Sequence, residues 1–182
     1  MNETTAQTIL QFWFEALEPR QWFAKDEALD AEITERFSAV LQAAIAGEFW
    51  TWRRSPQGRL AEILVLDQFS RNIHRGNVQA FAQDPQALVL AQEAVMAGAD
   101  RHLDVRQRAF LYMPYMHSES LLIHEEALRL FDQPGLEDNL DFEHRHRAIL
   151  ERFGRYPHRN ALLGRPSTPE EQAFLEQPGS AF

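Results

Sequence analysis

Apolar residues recur along this chain at helical spacing in segment after segment, with polar residues filling the intervening positions. Ile9, Phe12, Trp13 and Leu17 form a first stripe that Pro19 closes. Leu29, Ile33, Phe37, Leu41 and Ala44 form a second that stops at Gly47, with Glu32 and Arg36 paired one turn apart on its outer side. A turn at Ser55-Pro-Gln-Gly58 leads into a third helix from about Leu60 to Asn72, apolar almost all round at its start and therefore central. Asp84-Pro85 marks a fourth start, with Asp as N-cap and Pro at the first helical position, and Gly98 closes it. Asp104 and Gln107 read as a capping box for a fifth helix, which Pro114 is expected to break or kink.

Leu121, His124, Leu128 and Phe131 line a sixth helix that ends before Pro134-Gly135. Phe142, His146, Ile149, Leu150 and Phe153 share one face of a seventh, which Gly154 ends and Pro157 keeps from restarting. Thr168-Pro-Glu-Glu171 is a capping box for a short C-terminal helix near 169–176, with Phe182 beyond it as an apolar end able to dock. No segment alternates as a strand would. The pattern predicts an all-α protein of about seven or eight helices, in antiparallel pairs with short connections, forming a single domain over residues 1–182. No clean internal period is present. Trp50 and Trp52 are expected to pack in the core, with a partner surface as the other reading.

Polar residues interrupt these faces at particular places. Leu60, Leu64, Asp67, Arg71 and His74 fall on one line of the third helix, so the last three point the same way as the apolar pair, and Asp67 and Arg71 are one turn apart. Gln68, Asn72 and Arg75 follow a neighbouring line. The loop after Gly154 presents Arg155, His158, Arg159, Asn160 and Arg165 within a few residues. His117 and Glu119 follow Pro114, and Ser118 or Ser120 is placed to cap the next helix. His124 and His146 lie on apolar faces and are read as hydrogen-bonded core residues. His117, Glu119 and His158 are chemically suitable for zinc or iron, but their spacing matches no recognised ligand pattern and no metal is assigned.

The composition narrows the choice. A formal net charge of −9 excludes a general nucleic-acid binder, which needs a basic footprint. Cysteine is absent, which removes disulfides, thiolate metal sites and a cysteine nucleophile. The start, Met1-Asn-Glu-Thr-Thr5, lacks the features of a signal peptide, and the longest aliphatic run, Ile63-Leu-Val-Leu66, is too short to cross a bilayer; a cytoplasmic protein without membrane association is expected. Lys25 is the only lysine among 18 basic residues. Arginine suits bidentate pairing with carboxylate or phosphate, so the positions of the arginines matter more than their number.

Four blocks of residues carry a family resemblance. They are Phe12-Trp-Phe14 with Trp22-Phe23; Leu66-Asp-Gln-Phe-Ser-Arg-Asn-Ile-His-Arg-Gly76 with Ala80-Phe81; Phe110-Leu-Tyr-Met-Pro-Tyr-Met-His-Ser-Glu119; and Glu151-Arg-Phe-Gly-Arg-Tyr-Pro-His-Arg-Asn160 with Leu163-Gly-Arg165 and Ser167-Thr-Pro-Glu170. In this order they resemble the DUF924 family of uncharacterised proteins, across nearly the whole chain. The chain departs from the pattern after His-Ser-Glu, where Ser120 and His124 stand in place of Asp and Gln. The resemblance implies a right-handed, tetratricopeptide-like helical array and carries no activity or cofactor with it.

Three functional readings follow. In the first, Asp67, Arg71, Asn72, Arg75, Arg155, Arg159, Asn160 and Arg165 converge on a polar pocket for a small phosphate or carboxylate ligand. His117 or His158 then serves as general acid or base in hydrolysis or transfer of the anionic group, oriented by Glu119. In the second, the helical array is an interaction module whose groove clamps a peptide or a C-terminal carboxylate. In the third, the charged residues form an internal salt-bridge network that binds nothing.

Overall fold

The computed structural model describes residues 5–180; Phe182 and most of the Met1–Thr5 start lie outside the described residues. Among those described there is no strand, and helices joined by turns and short loops make up most of the structure. Helix α1 (Ala6–Gln11) runs into a π turn at Phe12–Ala16. Helix α2 spans Glu27–Ile45 and is capped by Asp26, whose carboxylate accepts from the amides of Ala28 and Leu29. Helix α3 (Pro56–Leu64) continues through a second π turn (Val65–Phe69) into α4 (Ser70–Ile73), one helical rod that includes the expected Leu60–Asn72 and begins a turn earlier. Then come α5 (Asp84–Met96), α6 (Val105–Met116), α7 (Leu121–Phe131), α8 (Glu137–Phe153) and α9 (Pro169–Leu175).

The rod α3–α4 sits in the middle because it has apolar residues on every side. Leu60, Ala61, Ile63, Leu64, Val65, Leu66 and Phe69 are all fully buried. Helices α1, α2, α5 and α6 pack around it, and α6, α7 and α8 follow one another as hairpins with short connections. Aromatic rings tie α1 to this centre: Trp13 meets Phe69 and Phe110, and Phe12 meets Phe37 and Phe69. A second, smaller cluster of Ile149, Leu150 and Tyr156, flanked by Phe153 and Phe174, joins the end of α8 to α9.

Several expectations change. Ser55-Pro-Gln-Gly58 is the first turn of α3 itself, with the Ser55 hydroxyl accepting from the Gly58 amide and Pro56 in the first turn. Helix α6 continues through Pro114 to Met116, so the proline does not end it. Phe142 is half exposed, under the Arg145 guanidinium, and does not join the buried stripe of α8. Trp50 is exposed with Arg54 over its ring, while Trp52 stacks on Phe49 at 3.9 Å. Asp84 is the first residue of α5, and Gln83 occupies the N-cap position without a side-chain bond, which frees the Asp84 carboxylate. No described helix is long and apolar enough to cross a membrane.

Candidate functional site

Asp67 lies in the π turn of the central rod and is almost completely buried. π turns recur at functional sites because the inserted residue re-aims side chains without ending the helix. Asp67 Oδ1 is 2.7 Å from His117 Nδ1 and 3.2 Å from Arg71 Nη1, and Oδ2 accepts from Gln68 Nε2 at 2.6 Å. Burial pushes the Asp67 carboxyl up, but His117 and Arg71 outweigh it and hold the group well below the usual carboxylate range. Asp67 is therefore ionised and can only accept. His117 Nδ1 carries a proton and donates to it, which leaves Nε2 as the ring nitrogen open to proton exchange.

Arg71 also grips Asp84, Nη1 to Oδ1 at 2.8 Å and Nη2 to Oδ2 at 3.1 Å. The same Asp84 oxygen accepts from Arg159 Nη1 at 3.2 Å. Arg159 comes from the short 3₁₀ turn Pro157–Arg159 and is buried. Its guanidinium lies 4.7 Å from the ring centre of Phe81 and 4.8 Å from that of Tyr156. Its Nε is closed off from solvent and has no hydrogen-bond partner among the described residues. Burial pulls the Arg159 pKa below the ordinary arginine value, against the pull of Asp84. His158, next in the chain, is held neutral: burial, with Arg159 beside it, brings its pKa down to about 4.

The remaining expected site residues are committed to fastening helices. Asn72 Nδ2 and Arg75 Nη2 each donate to Asp30 Oδ1 of α2 at 2.8 Å, and Arg75 Nε donates to Asp30 Oδ2. Arg155 pairs with Glu171 of α9 at 2.7 and 2.9 Å. Asn160 reaches Ser167 Oγ and Glu171, and accepts from Arg165 Nε at 2.9 Å. Glu119, expected to orient a histidine, instead accepts from Arg165 at 2.7 and 2.9 Å and from the Tyr156 amide at 2.7 Å. Burial raises the Glu119 carboxyl, and Arg165 with that amide brings it back below its usual value. The orienting carboxylate for His117 is Asp67.

The expected convergence thus divides. Asp67, Arg71, His117, His158 and Arg159 share one neighbourhood, roofed by Phe81 and Tyr156. Asn72 and Arg75 belong to a clasp on α2, and Arg155, Asn160, Arg165 and Glu119 to a clasp on the C-terminal segment. Depressions of about 380 and 440 Å³ lie against Phe12, Glu15 and Arg36 and against Glu18, Arg20 and Asp26, away from this cluster.

Sequence reasoning missed Asp84, because Asp-Pro reads as a helix cap. It also missed Tyr156, which sits among the polar loop residues but had no helical face to place it. His124 and His146 are hydrogen-bonded core residues, His124 to Glu143 and His146 to the Phe142 carbonyl at 2.8 Å.

A family model described as a bacterial protein of unknown function, DUF924, matches residues 9–179. A solved structure of a protein of unknown function from Agrobacterium tumefaciens is similar at 40% identity over 94% of this chain and 96% of that one, with a TM-score of 0.90. No functionally curated protein matches.

Proposed function

The chain belongs to the DUF924 family of bacterial proteins, and for this member we propose a binding site for a small anion, phosphate or carboxylate, centred on Arg159 and His117. One observation carries the reading. Arg159 is a buried guanidinium with aromatic rings close by, bonded to protein through Nη1 and with Nε partnerless among the described residues. Leaving a buried charged donor unmade costs on the order of 1–3 kcal/mol, and an oxygen of an anionic ligand would satisfy it. The Asp67–His117 pair supplies the chemistry. With its proton held on Nδ1 by a buried carboxylate, His117 offers Nε2 as a base or, once protonated, as an acid toward a group bound at Arg159. Hydrolysis or transfer of the anionic group is the reaction class this arrangement supports, in a cytoplasmic setting.

A second reading rests on a different observation: the cations here are already matched by carboxylates, Arg71 and Arg159 by Asp84 and Asp67, and Arg165 by Glu119. That balance suits a structural network that locks the helices. A tetratricopeptide-like groove for a peptide carboxylate would draw on the same guanidinium.

Thermal-shift titration with inorganic phosphate and with small carboxylates separates the readings. Under the proposal, wild type is stabilised and Arg159→Met, which replaces a buried ion-pair member with an apolar residue, folds but no longer responds. No shift of the wild type with any of these compounds would favour the structural network. A shift that Arg159→Met retains would place the anion elsewhere.

A further inference from the structure

His124 on α7 and Glu143 on α8 are fully buried, and His124 Nδ1 lies 2.5 Å from Glu143 Oε1. On its other side, His124 Nε2 is 2.8 Å from the carbonyl oxygen of Ser118. A carbonyl only accepts, so Nε2 carries a proton and donates. Tyr156, whose hydroxyl is 3.2 Å from the same nitrogen, donates to the carbonyl of Met116 at 2.7 Å and so presents its oxygen to Nε2. Met116 and Ser118 flank His117. The backbone carbonyls of the residues before and after the proposed acid–base residue are therefore held by buried side chains from α7 and from the segment after α8. Those two side chains also touch each other.

We propose that His124, Glu143 and Tyr156 are positioning residues that clamp the Met116–His117 peptide on one side of His117 and the Ser118–Glu119 peptide just beyond it on the other, and so aim its imidazole at Asp67 on one side and at the anion site on the other. This rests on the role given to His117 above. With Nε2 protonated, one further proton is shared between Nδ1 and Glu143. Burial raises the Glu143 carboxyl, and its second oxygen, Oε2, has no partner among the described residues, which favours a carboxylic acid donating to a neutral ring. The pair is then uncharged overall, as a fully enclosed pair must be to avoid a large desolvation cost. The Tyr156 ring also borders the Arg159 guanidinium, so the clamp and the anion-binding cation share one side chain.

The test follows the imidazole signals of His117 by long-range proton–nitrogen NMR, with circular dichroism for the fold and inorganic phosphate as the binding probe. Glu143→Gln keeps a neutral donor toward Nδ1 and is expected to leave the His117 signals in place. His124→Leu removes the Ser118 bond and is expected to shift them, while phosphate binding weakens on the order of tenfold. Tyr156→Phe, a smaller change that loses the Met116 bond and the hydroxyl's contact with His124 Nε2, is expected to move the same signals and serves if His124→Leu does not fold. His117 signals that stay unchanged in a folded His124→Leu or Tyr156→Phe protein would overturn the clamp. If the signals move as expected while wild type takes up no phosphate, the clamp stands and the anion site falls; if phosphate binds and the signals do not move, the reverse holds.

Discussion

Asp84→Asn is the most direct probe of the charged centre. The Asp84 carboxylate receives three hydrogen bonds, from Arg71 Nη1 and Nη2 at 2.8 and 3.1 Å and from Arg159 Nη1 at 3.2 Å. The Asp84, Arg71 and Arg159 side chains are 14%, 19% and 8% exposed, well below the exposure at which solvent screening trivialises an ion pair. The substitution leaves two neighbouring guanidinium groups facing a neutral amide. Breaking a buried pair by removing one partner costs about 3–5 kcal/mol. Arg71 keeps Asp67, and the asparagine oxygen still accepts one bond, so the lower end, about 3 kcal/mol, is expected. For a chain of this length that lowers the melting temperature by roughly 6–12 °C.

Urea unfolding is the assay, with the midpoint falling and the slope unchanged. A double-mutant cycle with Arg159→Met isolates the pair. Arg159→Met alone is expected to cost less than Asp84→Asn, because Asp84 keeps both bonds from Arg71, and in its presence Asp84→Asn costs less, giving a coupling of about 1–3 kcal/mol. A loss below about 1 kcal/mol for Asp84→Asn, or an additive cycle, would show that the bridge between α5 and the 157–159 turn does not hold the site together.

Two further outcomes are expected. Burial holds the pKa of His146 at about 3 and that of His158 at about 4, whereas an unfolded histidine titrates near 6.5. The unfolded chain thus binds more protons below pH 6.5, and stability drains away as pH falls from there toward the folded-state values. By pH 5 each histidine contributes a loss of about 2 kcal/mol, and nothing is lost on going upward from pH 7.5; a melting temperature unchanged between pH 7 and pH 5 would contradict both assignments. Gly58→Ala would bring a Cβ to 2.0 Å from the Trp52 carbonyl oxygen, a backbone atom that cannot step aside, so the variant is expected to lose at least ~3 kcal/mol or fail to fold. A Gly58→Ala protein melting within a few degrees of wild type would mean that the Trp52–Arg54 turn packs against α3 differently.

The helices were legible in the order of residues because their signals are local. The apolar stripe from Leu29 to Ala44 sets the face of α2, Asp104 with Gln107 and Thr168 with Glu171 set helix starts, and Gly154 at φ +68° sets the end of α8. Local signals also misled. Asp84-Pro85 has the chemistry of a helix cap, yet a cap bond is worth about 1 kcal/mol, and the half-buried Arg71 and the buried Arg159 outweigh it for the same carboxylate. Pro114 failed to end α6 although it lacks an amide proton, because the residues around it are buried and their packing outweighs one missing bond.

Within the site, the chain order marked out Asp67, Arg71, His117 and Arg159 by residue type and by their place on apolar faces or at a helix end. It assigned the wrong carboxylate to His117, choosing Glu119 from the same segment over Asp67, fifty positions away. No spacing rule reaches that far. Which acid meets which base was decided by the π turn in the central rod and by the stacking of α6 against it, and the confinement of Arg159 exists only once the segment carrying Phe81 has closed on the turn that follows Tyr156.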